Sequence, residues 1–208
     1  MLTPWITAAR GRGLRPASRG LSLIELLITF SLMALLLTAA VPPLGAWLAK
    51  AKLRSAGEQL LNSLRLAQSE ALRRNRQTVL VLTNAEPALT ATPAANGSRW
   101  FVRALPALTG ETADASHYVQ GVTLSTASAV TLTGPAVLCF NSQGRPVTNS
   151  STGLGSNCTA PASATSPTTY DIAAANTSST LRVQVFLGGQ IRLCDPARSV
   201  SSTAPDGC

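Results

Sequence analysis

Apolar residues fall along this chain in three regimes. From residue 21 to 41 they form one run, LSLIELLITFSLMALLLTAAV, in which Glu25 is the single charge among 21 positions. About 20 such residues at 1.5 Å rise span a hydrocarbon layer of roughly 30 Å, so the run predicts a membrane-spanning helix. Pro42 and Pro43 close it. From 44 to 76 the pattern turns helical: Leu53, Leu60, Leu64, Ala67 and Ala71 recur at spacings of seven, four, three and four, with Arg65, Arg73, Arg74 and Arg76 on other faces. Arginines in the last turn suit the negative end of the helix dipole, and Asn75 is the predicted stop. One helix from 21 to about 75, bent at the prolines, would reach roughly 80 Å.

The third regime has a period near two. Segments 78–83, 100–104, 122–124, 130–132, 137–140, 169–173 and 181–187 are short and rich in β-branched residues, which predicts strands. Turn signals separate several of them, and Gly188-Gly189 between LRVQVFL and QIRLC predicts a two-residue hairpin. Residues 148–168 are rich in Ser, Thr, Ala, Gly and Pro and predict a long exposed loop pinned by Cys158. The expected fold class is α+β, a long N-terminal helix packed on a small antiparallel β domain. The expected domains are a leader at 1–20, a helix at 21–76 whose first part (21–41) spans the membrane, and a β-rich soluble domain at 77–208.

Composition changes this picture in three places. Aromatics are only 4% of the chain, so the core is expected to rest on Leu, Val, Ala and Ile rather than on large rings. The formal charge of +8 suggests an anionic partner until it is located. Arg10, Arg12, Arg15 and Arg19 all precede Gly20, and without them 13 basic and 9 acidic residues leave +4. Positive charge ahead of the apolar run predicts a cytoplasmic N-terminus with the rest of the chain exported. The four cysteines, Cys139, Cys158, Cys194 and Cys208, include no C-x-x-C pair and suit two disulfides in an oxidising compartment. They allow three pairings. Closing the two shortest loops would join Cys139 to Cys158 and Cys194 to Cys208, but the sequence does not choose.

Two stretches carry a family resemblance. Gly20, Leu21, Ser22, Leu23, Ile24, Glu25 and Leu26 resemble the leader junction of type IV prepilins and type II secretion pseudopilins, where glycine precedes the cut and glutamate is the fifth mature residue. Leu21 stands where Phe is usual and Ser22 where Thr is usual. The resemblance implies cleavage after Gly20 by a prepilin peptidase, N-methylation of Leu21, and anchoring in the inner membrane before assembly with other pilins or pseudopilins. A carboxylate inside a bilayer is costly and asks for a partner. The new α-amine of Leu21, or a neighbouring subunit's, would give Glu25 one during filament assembly.

The segment from Leu53 to Val81 resembles the opening of the GspH/FimT family, through Ala67, Gln68, Ser69, Glu70, Ala71, Leu72, Arg73, Arg74, Asn75 and Arg76, with Gln68 at the usual Arg. FNSQGRPV at 140–147 and LGGQIRLCDP at 187–196 resemble its two later hairpins. The resemblance implies a minor pilin that primes or joins a type IV pilus, or a structural minor pseudopilin of a type II secretion system. FimT-like members are also linked to DNA capture through arginines near the C-terminal hairpin. Here the first of those positions is Gln190, leaving Arg192, with Arg182 and Arg198 nearby, as candidate phosphate contacts. No catalytic constellation, cofactor or metal site is expected: His117 is the single histidine, and there is no H-E-x-x-H motif or P-loop.

Overall fold

The computed structural model describes residues 22–124, 130–175 and 177–208, and the backbone alone for 39–44. The chain divides between Pro42 and Pro43 into two compact units. Helix α1, Leu23–Arg74, begins in the first and ends in the second. In the first unit every described side chain from Ser22 to Thr38 is exposed.

In the second unit α1 buries one stripe, Leu53, Ala56, Leu60, Leu64, Ala67 and Ala71, at the three-and-four spacing of a helix face. Its small members let strands come close: a Cβ added at Gly57 would stand 3.2 Å from Leu193 Cδ1. The helix ends in a Schellman motif. Asn75 adopts φ 49°, its N–H donates to Leu72 O (3.3 Å), and the N–H of Arg76 donates to Ala71 O (3.3 Å).

Among the described residues nine strands form two antiparallel sheets beside this helix. They are β1 (Thr78–Thr83), β2 (Arg99–Ala104), β3 (Tyr118–Thr123), β4 (Val130–Thr133), β5 (Val137–Phe140), β6 (Pro146–Val147), β7 (Thr168–Ala174), β8 (Thr180–Val185) and β9 (Ile191–Cys194). The first sheet runs β3-β2-β1-β5-β6 and the second β4-β7-β8-β9. Every residue of β1 is buried, because this sheet is covered on both faces. Leu80, Leu82, Trp100, Val102, Leu138 and Phe140 join the core under α1. Val79, Val81, Phe101, Val137, Cys139 and Cys158 form a second cluster on the opposite face. In β7 burial alternates instead, so the second sheet buries Tyr170, Ile172 and Ala174 and leaves its other face polar.

Three expectations need correction. The largest fully buried side chains are headed by Trp100, Tyr170, Phe101 and Phe140, so large rings anchor a core that was expected to be aliphatic. Aromatics are few, but these four sit on strands interior to their sheets, β2, β5 and β7, and placement outweighs abundance. Residues 148–168 are not simply an exposed loop. Thr152, Cys158 and Pro161 are buried, and Asn149 and Cys158 exchange backbone hydrogen bonds of 3.1 and 2.9 Å. The strand expected at 122–124 starts earlier, at Tyr118, where antiparallel pairing to β2 holds residues of low strand propensity such as Gln120 and Gly121.

Two polar contacts fix the helix on the first sheet. Trp100 Nε1 donates to Ser63 Oγ (2.9 Å), and Thr78 Oγ1 donates to Ala67 O (2.6 Å). Disulfides join Cys139 to Cys158 and Cys194 to Cys208, with Cα–Cα distances of 5.6 and 5.2 Å. The first lies within the second apolar cluster. The second holds residues 195–208 against β9, where the Asp195 N–H donates to Asp206 O (2.7 Å).

Candidate functional site

Gly20 and Leu21, the expected cleavage and methylation positions, lie outside the described residues. Glu25 stands in the first turn of α1, where the positive end of the helix dipole favours a carboxylate. It is exposed, and so are the apolar side chains beside it: Leu23 is 78% and Ile24 64% accessible, with Leu26, Leu27 and Ile28 close behind. Among the described residues no helix is long and apolar enough to cross a membrane. The expected span, 21–41, also includes Leu21 and the side chains of 39–41, which are not among them. What is described is a helical surface of apolar side chains carrying one acid.

At the far end of α1 three sequence motifs meet. In the hairpin between β5 and β6, Asn141 Oδ1 accepts from the N–H groups of Gln143 (3.0 Å) and Arg145 (2.9 Å), and Gly144 takes φ 73°. In the hairpin between β8 and β9, Gly189 takes φ 88° and its N–H donates to Phe186 O (2.8 Å). Gln68 joins the two turns: its Nε2 donates to Gly144 O (2.7 Å) and to Gly189 O (2.8 Å). A Cβ at position 189 would stand 2.6 Å from Gly144 O, so the turns are too close for any residue but glycine there. The sequence marked Gln68 only as a departure from arginine; its role depends on two turns 76 and 121 positions away.

The arginines that follow are not simply solvated. Glu70 receives Arg73 Nε and Nη2 (2.8 and 2.7 Å) and Arg74 Nε (2.7 Å). Hydrogen bonding from Arg73, with Arg74 adding to it, lowers the Glu70 pKa to about 2. Arg74 Nη1 also reaches Ser116 O (2.6 Å). Arg76 Nη1 donates to Glu111 (2.9 Å), whose other oxygen accepts from the backbone N–H groups of Ala107 (2.8 Å) and Leu108 (3.0 Å). Those backbone donors, Leu108 first, and then Arg76 bring Glu111 to about 2. His117 is buried between Glu111 and Asp114, its ring nitrogens 3.1 and 2.9 Å from the two carboxylates. It thus closes a loop onto the helix end. Among the described residues no group of three or more acidic, His or Cys side chains is placed to hold a metal.

The candidate phosphate contacts lie on and beside the polar face of the second sheet. Arg182 and Asp171 are cross-strand partners joined by two hydrogen bonds of 2.5 and 3.0 Å. Arg192, opposite Gln184, donates its Nη2–H to Gly207 O (2.7 Å). Arg198 lies 3.6 Å from Asp195 and 3.5 Å from Asp206. Three aspartates are therefore set beside two of these cations, Arg182 and Arg198, while Arg192 is held by a backbone carbonyl.

Comparison with known proteins adds to this geometry. Residues 56–189 match the family described as type II transport protein GspH, and residues 15–41 match the prokaryotic N-terminal methylation motif. Among solved structures, the type IV minor pilin FimU of Pseudomonas aeruginosa is similar at 17% identity and a TM-score of 0.46, over 76% of this chain and 96% of that one. The minor pseudopilin EpsH from the type 2 secretion system of Vibrio cholerae is similar at 15% identity and a TM-score of 0.43, over 71% and 99%. No curated protein matches the chain.

Proposed function

Because the chain belongs to the family of type II transport protein GspH, a family of pilin-type subunits, we propose that it is a minor pilin that primes or joins a type IV pilus. The observation that carries this reading is the order of two matches in one chain: a methylation motif at 15–41 directly ahead of a GspH domain at 56–189. In this reading a prepilin peptidase cuts after Gly20, and the freed amine of Leu21 is methylated. The apolar helix holds the subunit in the inner membrane until it packs among the helices of other pilins. Glu25 then pairs with the amine of Leu21 or of a neighbour, which offsets the cost of an acid among apolar side chains. The same features suit a purely structural minor pseudopilin of a type II secretion system.

A DNA-binding role would draw on Arg182, Arg192 and Arg198. Affinity for phosphate grows with the number of counterions released, which requires cations not already matched by acids. Asp171 matches Arg182, and Asp195 and Asp206 both lie beside Arg198, which leaves Arg192, held by a backbone carbonyl, as the one candidate without an acid beside it among the described residues; a single such cation supports assembly better than DNA capture.

Intact-protein mass spectrometry of membrane-purified protein tests the reading. The expected product starts at a methylated Leu21, and Gly20→Phe stays at precursor mass. A start at residue 1, or beyond residue 41, overturns it.

A further inference from the structure

We propose that Trp47 and Lys50, with Arg54 behind them, form an anchor for the anionic headgroup layer of a phospholipid bilayer. This rests on the membrane-inserted reading of the N-terminal helix. At about 100° per residue, Trp47, Lys50 and Arg54 fall within roughly 60° of one another on α1. They lie about 120° around the helix from the stripe that the β domain covers, in which Leu53 is 2%, Ala56 3% and Leu60 1% exposed. Trp47 by contrast is 66% exposed and Leu48 48%. A Cβ built at Gly45 meets nothing within 4 Å, so among the described residues the helix is open at that position too.

The chemistry of this face selects its partner. Tryptophan is a wide apolar ring with one N–H donor, and it concentrates where hydrocarbon gives way to headgroups. Trp47 follows the end of the apolar run and of the methylation-motif match, at residue 41, by six positions in the chain. Between Glu25 and Glu58 there is no acidic residue, while Lys50, Lys52 and Arg54 supply positive charge. Lysine stems lie along apolar surface while their ammonium groups reach phosphate. Arg54 donates its Nε–H to Glu58 (2.9 Å) and contributes to the field of this face from further along it. An aromatic ring followed by cations, with no intervening acid, is complementary to anionic phospholipid.

The molecule contains its own spectroscopic control. Trp100 is 1% exposed and hydrogen-bonded to Ser63, so lipid cannot reach it. The test uses the full chain carrying Trp5→Phe, reconstituted in vesicles of phosphatidylcholine and phosphatidylglycerol with bromines placed near either end of the acyl chains. Quenching is expected from bromines near the headgroup, is lost in Trp47→Phe, and weakens in Lys50→Glu or when phosphatidylglycerol is omitted. A chain that resists carbonate extraction while Trp47 is quenched by aqueous iodide and not by brominated lipid overturns the anchor and leaves the proposed function standing. Shielding of Trp47 from iodide in assembled filaments alone would assign this face to a neighbouring subunit, and also overturns it. Complete extraction by carbonate overturns both readings.

Discussion

The side-chain amide of Gln68 donates one hydrogen to the carbonyl of Gly189, 2.8 Å away and on the other side of the domain in sequence, and its second to Gly144 at 2.7 Å. One planar NH2 group thus holds a turn from each sheet against the helix. Gln68→Ala leaves two partly buried carbonyls without their donor and is expected to cost about 1–3 kcal/mol. Gln68→Arg, which restores several donors, should recover most of that. Urea denaturation of the full-length protein in detergent, followed through Trp100 emission, measures both. A midpoint unchanged in Gln68→Ala would show that the turns hold themselves.

Tyr170 is wholly buried, and its hydroxyl has no hydrogen-bond partner among the described residues. Burial pushes its pKa well up, keeping it neutral. Tyr170→Phe keeps the ring and removes the unsatisfied group, so it is expected to stabilise the fold by about 1 kcal/mol. Thermal unfolding checks this; a lowered midpoint would mean that the hydroxyl is satisfied in solution.

Acid should loosen the clasp between the helix end and the loop at 107–117. Glu70, Glu111 and Asp114 all have folded pKa values lowered to about 2, from ordinary values of 4.5, 4.5 and 3.8. A carboxylate lowered by folding contributes stability that is fully present above its unfolded pKa and is lost as pH falls through the folded one. Stability should therefore fall as pH drops from about 5 towards 2. Glu111→Gln should flatten that decline. Denaturation midpoints across the range decide it, and parallel curves for parent and variant would remove Glu111 from the account.

Binding to duplex DNA is expected to be weak and shallow in its salt dependence. Each phosphate contact contributes about 0.9 to the slope of log affinity against log salt. With Arg182 and Arg198 matched by aspartates and Arg192 held by a backbone carbonyl, the expected slope is that of about one contact. A slope of about 2.7 in the parent, reduced in Arg192→Ala and Arg198→Ala, would reinstate a three-contact phosphate site.

The second half of the helix could be read from residues 53 to 71 because a buried stripe imposes its period whatever it packs against. Strands such as β1 and β7 showed themselves through β-branched runs and alternation. Contacts made at long range stayed hidden. His117 looks like a loop residue until residues 111 and 114 fold around it, and Gln68 looks like a substitution until two distant turns arrive. Likewise, the arginines near the last hairpin were visible as charges, but the aspartates beside them are set by strand register and by the segment that Cys208 holds. Gly20 and Leu21 remain a matter of sequence motif.

The path of the chain between the two sheets also sets an order of events. Strand β5 returns to β1 after β4 has already been laid down, and β4 finds its partner only in β7, where Thr131 faces Ala173. A polypeptide emerging across a membrane with its N-terminus held back would present the helix's apolar stripe first and its cover last. Until β8 and β9 have cleared the export channel, half of that stripe has nothing to lie against. In a subunit exported as proposed, that stripe would stay open to proteolysis until the second sheet arrives to cover it.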